Sequence, residues 1–166
     1  MFRNILVATD LEPNSASALV YARELGRIFG SKLIIAHVVL MPSVLKKWGA
    51  KVFETDLKAY RDVLARQQIG ARAALESQVS AVGLASARGV QCVVRAGDPA
   101  SQLAELIDEL GVDLTVVGRG RGGKLGPVAE RLVRLVGRAV LVTPSRAARG
   151  GARVQPARRS LRRAAT

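Results

Sequence analysis

The chain has 166 residues, 49% of them apolar, and carries a formal net charge of +13. That length holds one domain of ordinary size, and at that size a fold buries roughly 70% of its unfolded surface without metal or disulfide support. A single cysteine, Cys92, and a single histidine, His37, exclude an internal disulfide and a zinc site, which usually takes four protein ligands.

In chain order, Arg3 to Thr9 is an apolar, β-rich run and reads as a first strand. Asn14 is placed to cap a helix with the core stripe Ala18, Ala22, Leu25 and Phe29, which Gly30 ends. Lys32 to Leu40 is a second strand, followed by a loop with Pro42, Trp48 and Gly49. A long helical stretch spans 50 to 88, with a break expected near Gly70, and Gly89 closes it. Val90 to Arg95 is a third strand. Asp98 then acts as an N-cap with Pro99 at the first helical position, where its missing N–H costs nothing. Leu103, Leu106, Ile107 and Leu110 form the inner stripe of that helix, and Gly111 ends it. Asp113 to Gly118 is a fourth strand, and a helix from Pro127 to about Val136 turns Val128, Leu132, Leu135 and Val136 inward. Ala139 to Thr143 is a fifth strand, stopped by Pro144.

Strands that are continuous apolar runs alternate with helices. That pattern belongs to a doubly wound α/β fold, a parallel sheet with helices on both faces. Ligands in such sheets sit at the carboxyl ends of the strands, where the strand order reverses. Asp10, the end of the second strand and the loop after Gly118 are the candidate positions.

The charge is unevenly spread. Residues 146 to 166 hold seven arginines and no acids, whereas residues 1 to 145 balance at +6. The tail has too few large apolar side chains to offset the entropy of ordering and reads as disordered. The expected organisation is thus a domain over 1–145 and an arginine-rich tail over 146–166. No run approaches the roughly 20 apolar residues of a membrane span, and the N-terminal run lacks a cleavage signal. A cytoplasmic location is expected.

The loop from Gly118 to Gly126 has five glycines in nine positions, with Arg119, Arg121 and Lys124 among them. Glycines let a backbone approach a ligand closely, and amides at a helix start attract anions. The loop reads either as a phosphate site or as a basic turn that holds nothing. Asp10 read alone is equally a turn cap. His37 reads as a satisfied structural histidine and Cys92 as a small buried hydrophobe. One histidine with no placed partner nominates no catalytic triad.

Read together, Val-Ala-Thr-Asp ending at Asp10, Ala-His-Val-Val on the second strand, Gly-Asp-Pro-Ala at 97–100 and Asp-Leu-Thr-Val-Val-Gly at 113–118 resemble the universal stress protein family. Gly126-Pro-Val-Ala-Glu-Arg-Leu-Val-Arg and Ala-Val-Leu-Val-Thr-Pro extend the resemblance over residues 2 to 145. It implies a strand order of 3-2-1-4-5, dimers through the last strand, Ala139 to Thr143, and a regulatory role in the stress response. It also implies binding of ATP or another adenine nucleotide, with magnesium only alongside ATP and, at most, weak hydrolysis. Asp10 and Val38 would hold the nucleoside, and Gly118, Gly120, Gly126 and Val128 the rest of the motif. Arg119, Arg121 and Lys124 are candidate phosphate contacts. The family motif reads Gly-x₂-Gly-x₉-Gly-Ser/Thr. Here one residue separates Gly118 from Gly120, five separate Gly120 from Gly126, and Pro127 stands where the hydroxyl would be. The alternative is a protein that binds no nucleotide and uses its basic loop and tail to hold nucleic acid or another polyanion.

Overall fold

The computed structural model describes residues 1–41, 54–120 and 124–144. Five strands are joined by four helices: β1 Asn4–Ala8, α1 Ala16–Phe29, β2 Lys32–Leu40, α2 Glu54–Ala81, β3 Val90–Gly97, α3 Pro99–Glu109, β4 Leu114–Gly118, α4 Pro127–Leu135 and β5 Ala139–Thr143. The sheet runs β3-β2-β1-β4-β5 and each pairing is parallel. This is the doubly wound order that the family resemblance implied. Trp48 and its loop, Arg121 and the arginine-rich tail lie outside the described residues.

Alternation along the central strands sends side chains into two cores. Ile5, Val7, Leu33, Ile35 and Val116 meet Ala18, Leu19 and Ala22 of α1 and Leu75 and Val79 of α2. Leu6, Ile34, Ala36, Val38 and Val117 meet Leu103, Leu106 and Ile107 of α3 and Ala129 and Leu132 of α4. One face therefore carries α1 and α2, and the other carries α3 and α4.

Local chemistry explains where the elements begin and end. Gly30 takes the left-handed conformation, φ 67°, that closes α1 without a Cβ penalty. At the sheet's lower edge, the N–H groups of Arg3 and Asn4 donate to Asp113 Oδ2 at 2.7 and 3.0 Å. The Asn4 amide donates back to the carbonyls of Leu110 and Gly111. These bonds lace the start of β1 to the start of β4. The N–H of Asn4, and then that of Arg3, hold the Asp113 carboxyl below its ordinary value.

Several sequence expectations are corrected. A short 3₁₀ turn, Pro13–Ser15, precedes α1, so Ser15 rather than Asn14 occupies the N-cap position. The long helix ends at Ala81 and runs unbroken through Gly70, where a Cβ would meet nothing within 4 Å. An isolated glycine costs a helix only about 1 kcal/mol relative to alanine, too little to break one anchored by buried neighbours such as Leu75. Leu135 is 54% exposed rather than turned inward, because α4 stops there and Val136 adopts an extended backbone. Asp98 holds the N-cap position of α3, yet its carboxylate caps nothing; it accepts two hydrogen bonds from Arg131 at 2.6 and 2.8 Å. Cys92 is half-buried, and burial, followed by the Glu76 carboxylate, pushes its thiol pKa up.

Candidate functional site

The strand order reverses between β1 and β4, and a crevice of about 480 Å³ opens there at the strands' carboxyl ends. Three layers build it. The floor is Ala8, Ala36 and Val117 from β1, β2 and β4. One wall is the turn after β1 with Asp10, and the opposite wall joins Pro99 and Leu103 of α3 to Val128 and Ala129 of α4.

The turn after β1 is tightly specified. Leu11 is the one described non-glycine residue with a positive φ, 63°. Its N–H donates to Thr9 Oγ1 at 3.0 Å, and the N–H of Glu12 donates to Asp10 Oδ1 at 3.0 Å. Leucine in this region costs roughly 1–2 kcal/mol, which the two side-chain acceptors and packing of Leu11 against the core offset. Asp10 therefore does cap its own turn, and it lines the crevice as well.

Beneath that turn lies a polar knot. Thr9 Oγ1 is 2.7 Å from Ser15 Oγ and donates to Gln78 Oε1 at 2.8 Å. Ser15 Oγ donates to the Glu12 carbonyl at 2.7 Å. Gln78 Nε2 also donates to that carbonyl, at 3.3 Å. His37 Nδ1 lies 2.9 Å from the Thr9 carbonyl, which can only accept, so Nδ1 carries the proton. In the neutral ring Nε2 is then left as an acceptor. The histidine is structurally satisfied, as expected from sequence, and it also lines the crevice.

On the far side, Gly118 ends β4 and the N–H of Arg119 donates to the Thr143 carbonyl of β5 at 2.8 Å. Gly126 is the N-cap of α4, and its carbonyl accepts from the N–H of Glu130 at 2.9 Å. Gly120 and Gly126 touch. A Cβ on Gly120 would lie 3.1 Å from Gly126 Cα and 3.2 Å from its nitrogen, both backbone atoms that cannot swing aside. A side chain at 120 would push the Gly126 backbone away by a few tenths of an ångström, so glycine is favoured there. The Asp98–Arg131 pair joins the α3 and α4 walls at the rim. Its exposure limits its worth to about 1 kcal/mol or less, so it orients more than it stabilises.

Seven of the residues singled out in sequence line this one crevice: Asp10, Val38, Gly118, Arg119, Gly120, Gly126 and Val128. Lys124 lies in the same connection but is not among the lining residues, and Arg121 is outside the described residues. Sequence reasoning missed Ser15 and Gln78, and took His37 as structural alone. A histidine near the carboxyl end of a central strand is a legible signal; Gln78, 69 residues from its partner Thr9, offers none. Among the described residues no cluster of three His, Cys, Asp or Glu side chains could hold a metal ion.

Comparison with known structures gives consistent likenesses. The hypothetical protein MJ0577 shares 17% identity at a TM-score of 0.72, over 87% of this chain and 96% of that one. A universal stress protein in complex with cAMP shares 23% identity at a TM-score of 0.57, over 87% and 98%. The universal stress protein of Archaeoglobus fulgidus in complex with dAMP shares 17% identity at a TM-score of 0.50, over 84% and 96%. These identities speak for the fold. A search of the curated proteins gives no match. The model of the universal stress protein family matches residues 1–144, the whole span of the described strands and helices, and the chain belongs to that family.

Proposed function

We propose that this universal stress protein is a regulatory protein that binds an adenine nucleotide in the β1/β4 crevice and works as a homodimer. The observation that carries the reading is convergence. An acid, a valine, three glycines and the first turn of α4, drawn from three separate stretches of sequence, line one cavity of about 480 Å³. Such a cavity, apolar on most sides with a few converging polar groups, suits a small molecule with a flat ring and a polar end.

In this reading Asp10 accepts hydrogen bonds from the ribose hydroxyls. Val38, with Ala36 and Leu103, packs on the base, and the amides at the start of α4 with Arg119 face the phosphate. Two relatives of the same fold were solved with cAMP and with dAMP, which share an adenine ring and a single phosphate. Calorimetric titration of the full chain with AMP, cAMP and ATP is expected to give saturable heat with at least one of them. No heat with any would overturn the proposal.

The dimer is argued from the sheet. β5 lies at its edge, and Val140, Leu141 and Val142 are half-buried with one strand neighbour instead of two. A short apolar edge left open invites pairing, and a two-fold axis beside it satisfies both copies. Sedimentation at micromolar concentration is expected to show a dimer; a monomer would count against the arrangement.

A further inference from the structure

The arginine-rich stretch over 146–166 has no part in the crevice reading, and the end of β5 shows where on the domain it is rooted. Thr143 is buried, and its carbonyl accepts from the N–H of Arg119 at 2.8 Å. Ser17 Oγ donates to the Pro144 carbonyl at 2.6 Å. These two bonds pin the last described residues to the end of β4 and to the first turn of α1. The chain beyond Pro144 therefore departs from the carboxyl end of the sheet, beside Gly118, the register partner of Thr143.

Two cations of the domain stand at that same end. Arg119 and Lys124 belong to the connection after β4, and among the described residues neither forms an ion pair. Other arginines are occupied: Arg95 pairs with Glu109, Arg131 with Asp98 and Arg134 with Glu130. The stretch thus begins beside two positive side chains that hold no carboxylate.

From Arg146 to Thr166 there are seven arginines and no aspartate or glutamate to pair with them. Guanidinium groups stay charged and match phosphate in a bidentate fork. The class of partner follows from what the stretch lacks. It has no Phe, Tyr or Trp, so it offers no platform for the stacked bases by which single strands are held. Val154 and Leu161 are its only large apolar side chains, too few for an apolar face that enters a bilayer interface. What it offers is charge, and a nucleic-acid duplex answers with about one negative charge per 1.7 Å of axis.

We infer that residues 146–166, with Arg119 and Lys124 at their root, bind the phosphate backbone of double-stranded nucleic acid without regard to its sequence. The inference stands apart from the adenine-nucleotide reading, and neither depends on the other.

The test is fluorescence anisotropy on the full chain over a salt series. The probes are short DNA duplexes of two unrelated sequences, an RNA duplex of the same length, the separated DNA strand, and vesicles rich in anionic lipid as competitor. Both DNA sequences are expected to bind alike, with log K falling against log salt at a slope of about −6 to −8, roughly 0.9 per cation engaged. The tighter of the DNA and RNA duplexes identifies the source. Glutamine at all seven arginines of 146–166, in the full chain, is expected to remove most of that slope. Urea unfolding should not change, since both described cores lie earlier in the chain. Lys124→Gln should lower the slope by about one; no change there overturns the domain's share of the surface. Duplex binding that survives the glutamine substitutions overturns the inference. So does tighter binding to the single strand or to the vesicles, or no duplex binding at the lowest salt.

Discussion

Replacing Asp10 with alanine is expected to weaken adenine-nucleotide binding by about ten- to a hundred-fold, the range for losing a hydrogen bond to a charged acceptor. Part of any effect will be structural, because Asp10 Oδ1 also accepts from the N–H of Glu12. Loss of that turn bond costs about 1 kcal/mol. Asp10→Asn separates the two roles. The asparagine oxygen keeps the turn and removes the charge, so unfolding should return to near wild type while binding stays impaired. Should Asp10→Asn bind as well as wild type, the carboxylate charge has no part in ligand recognition. Calorimetry on both variants, with urea unfolding beside it, decides the matter.

Leu132→Ala carries the largest expected loss of stability, about 2–5 kcal/mol, since it removes a side chain with no solvent exposure from the α4 core. Val133 is 49% exposed on the same helix, and Val133→Ala should stay within about 0.5 kcal/mol of wild type. The contrast tests the orientation of α4 rather than its existence. Nearly equal urea midpoints for the two variants would mean that α4 does not present Leu132 to the sheet. Because Val128 and Ala129 belong to the same nine-residue helix, ligand affinity should fall with Leu132→Ala as well.

Much of this architecture is legible in the residues. β2 and β5 coincide with their expected bounds because each is a mostly apolar run with local stops: Ser31 before β2 and Pro42 two residues after it, Arg138 before β5 and Pro144 after it. Pro99 and Gly111 bracket α3 for the same local reason. What escaped was decided at a distance. Asp98 fits an N-cap by its chemistry, but Nη1 of Arg131, 33 residues on, donates to both of its carboxylate oxygens instead. Gly70 looks like a helix breaker, yet burial elsewhere along α2 outweighs its propensity. Leu135 satisfies the helical spacing and still faces solvent, since periodicity cannot say where a helix runs out of sheet to cover. In the crevice, the wall residues were legible because each ends a strand or begins a helix. The knot of Thr9, Ser15 and Gln78 was not, because polar residues on a long helix leave no trace of which one turns inward.

The positive φ of Leu11 has a further consequence. The residue that adopts the unfavourable conformation is itself packed on the core, so the bend is secured when the chain folds, before any ligand arrives. Asp10 is thus preorganised: its orientation is settled by folding, and little ordering of this turn is left to subtract from affinity. A glycine at position 11 would relax the bend and surrender that advantage, trading a rigid receptor for a more comfortable backbone.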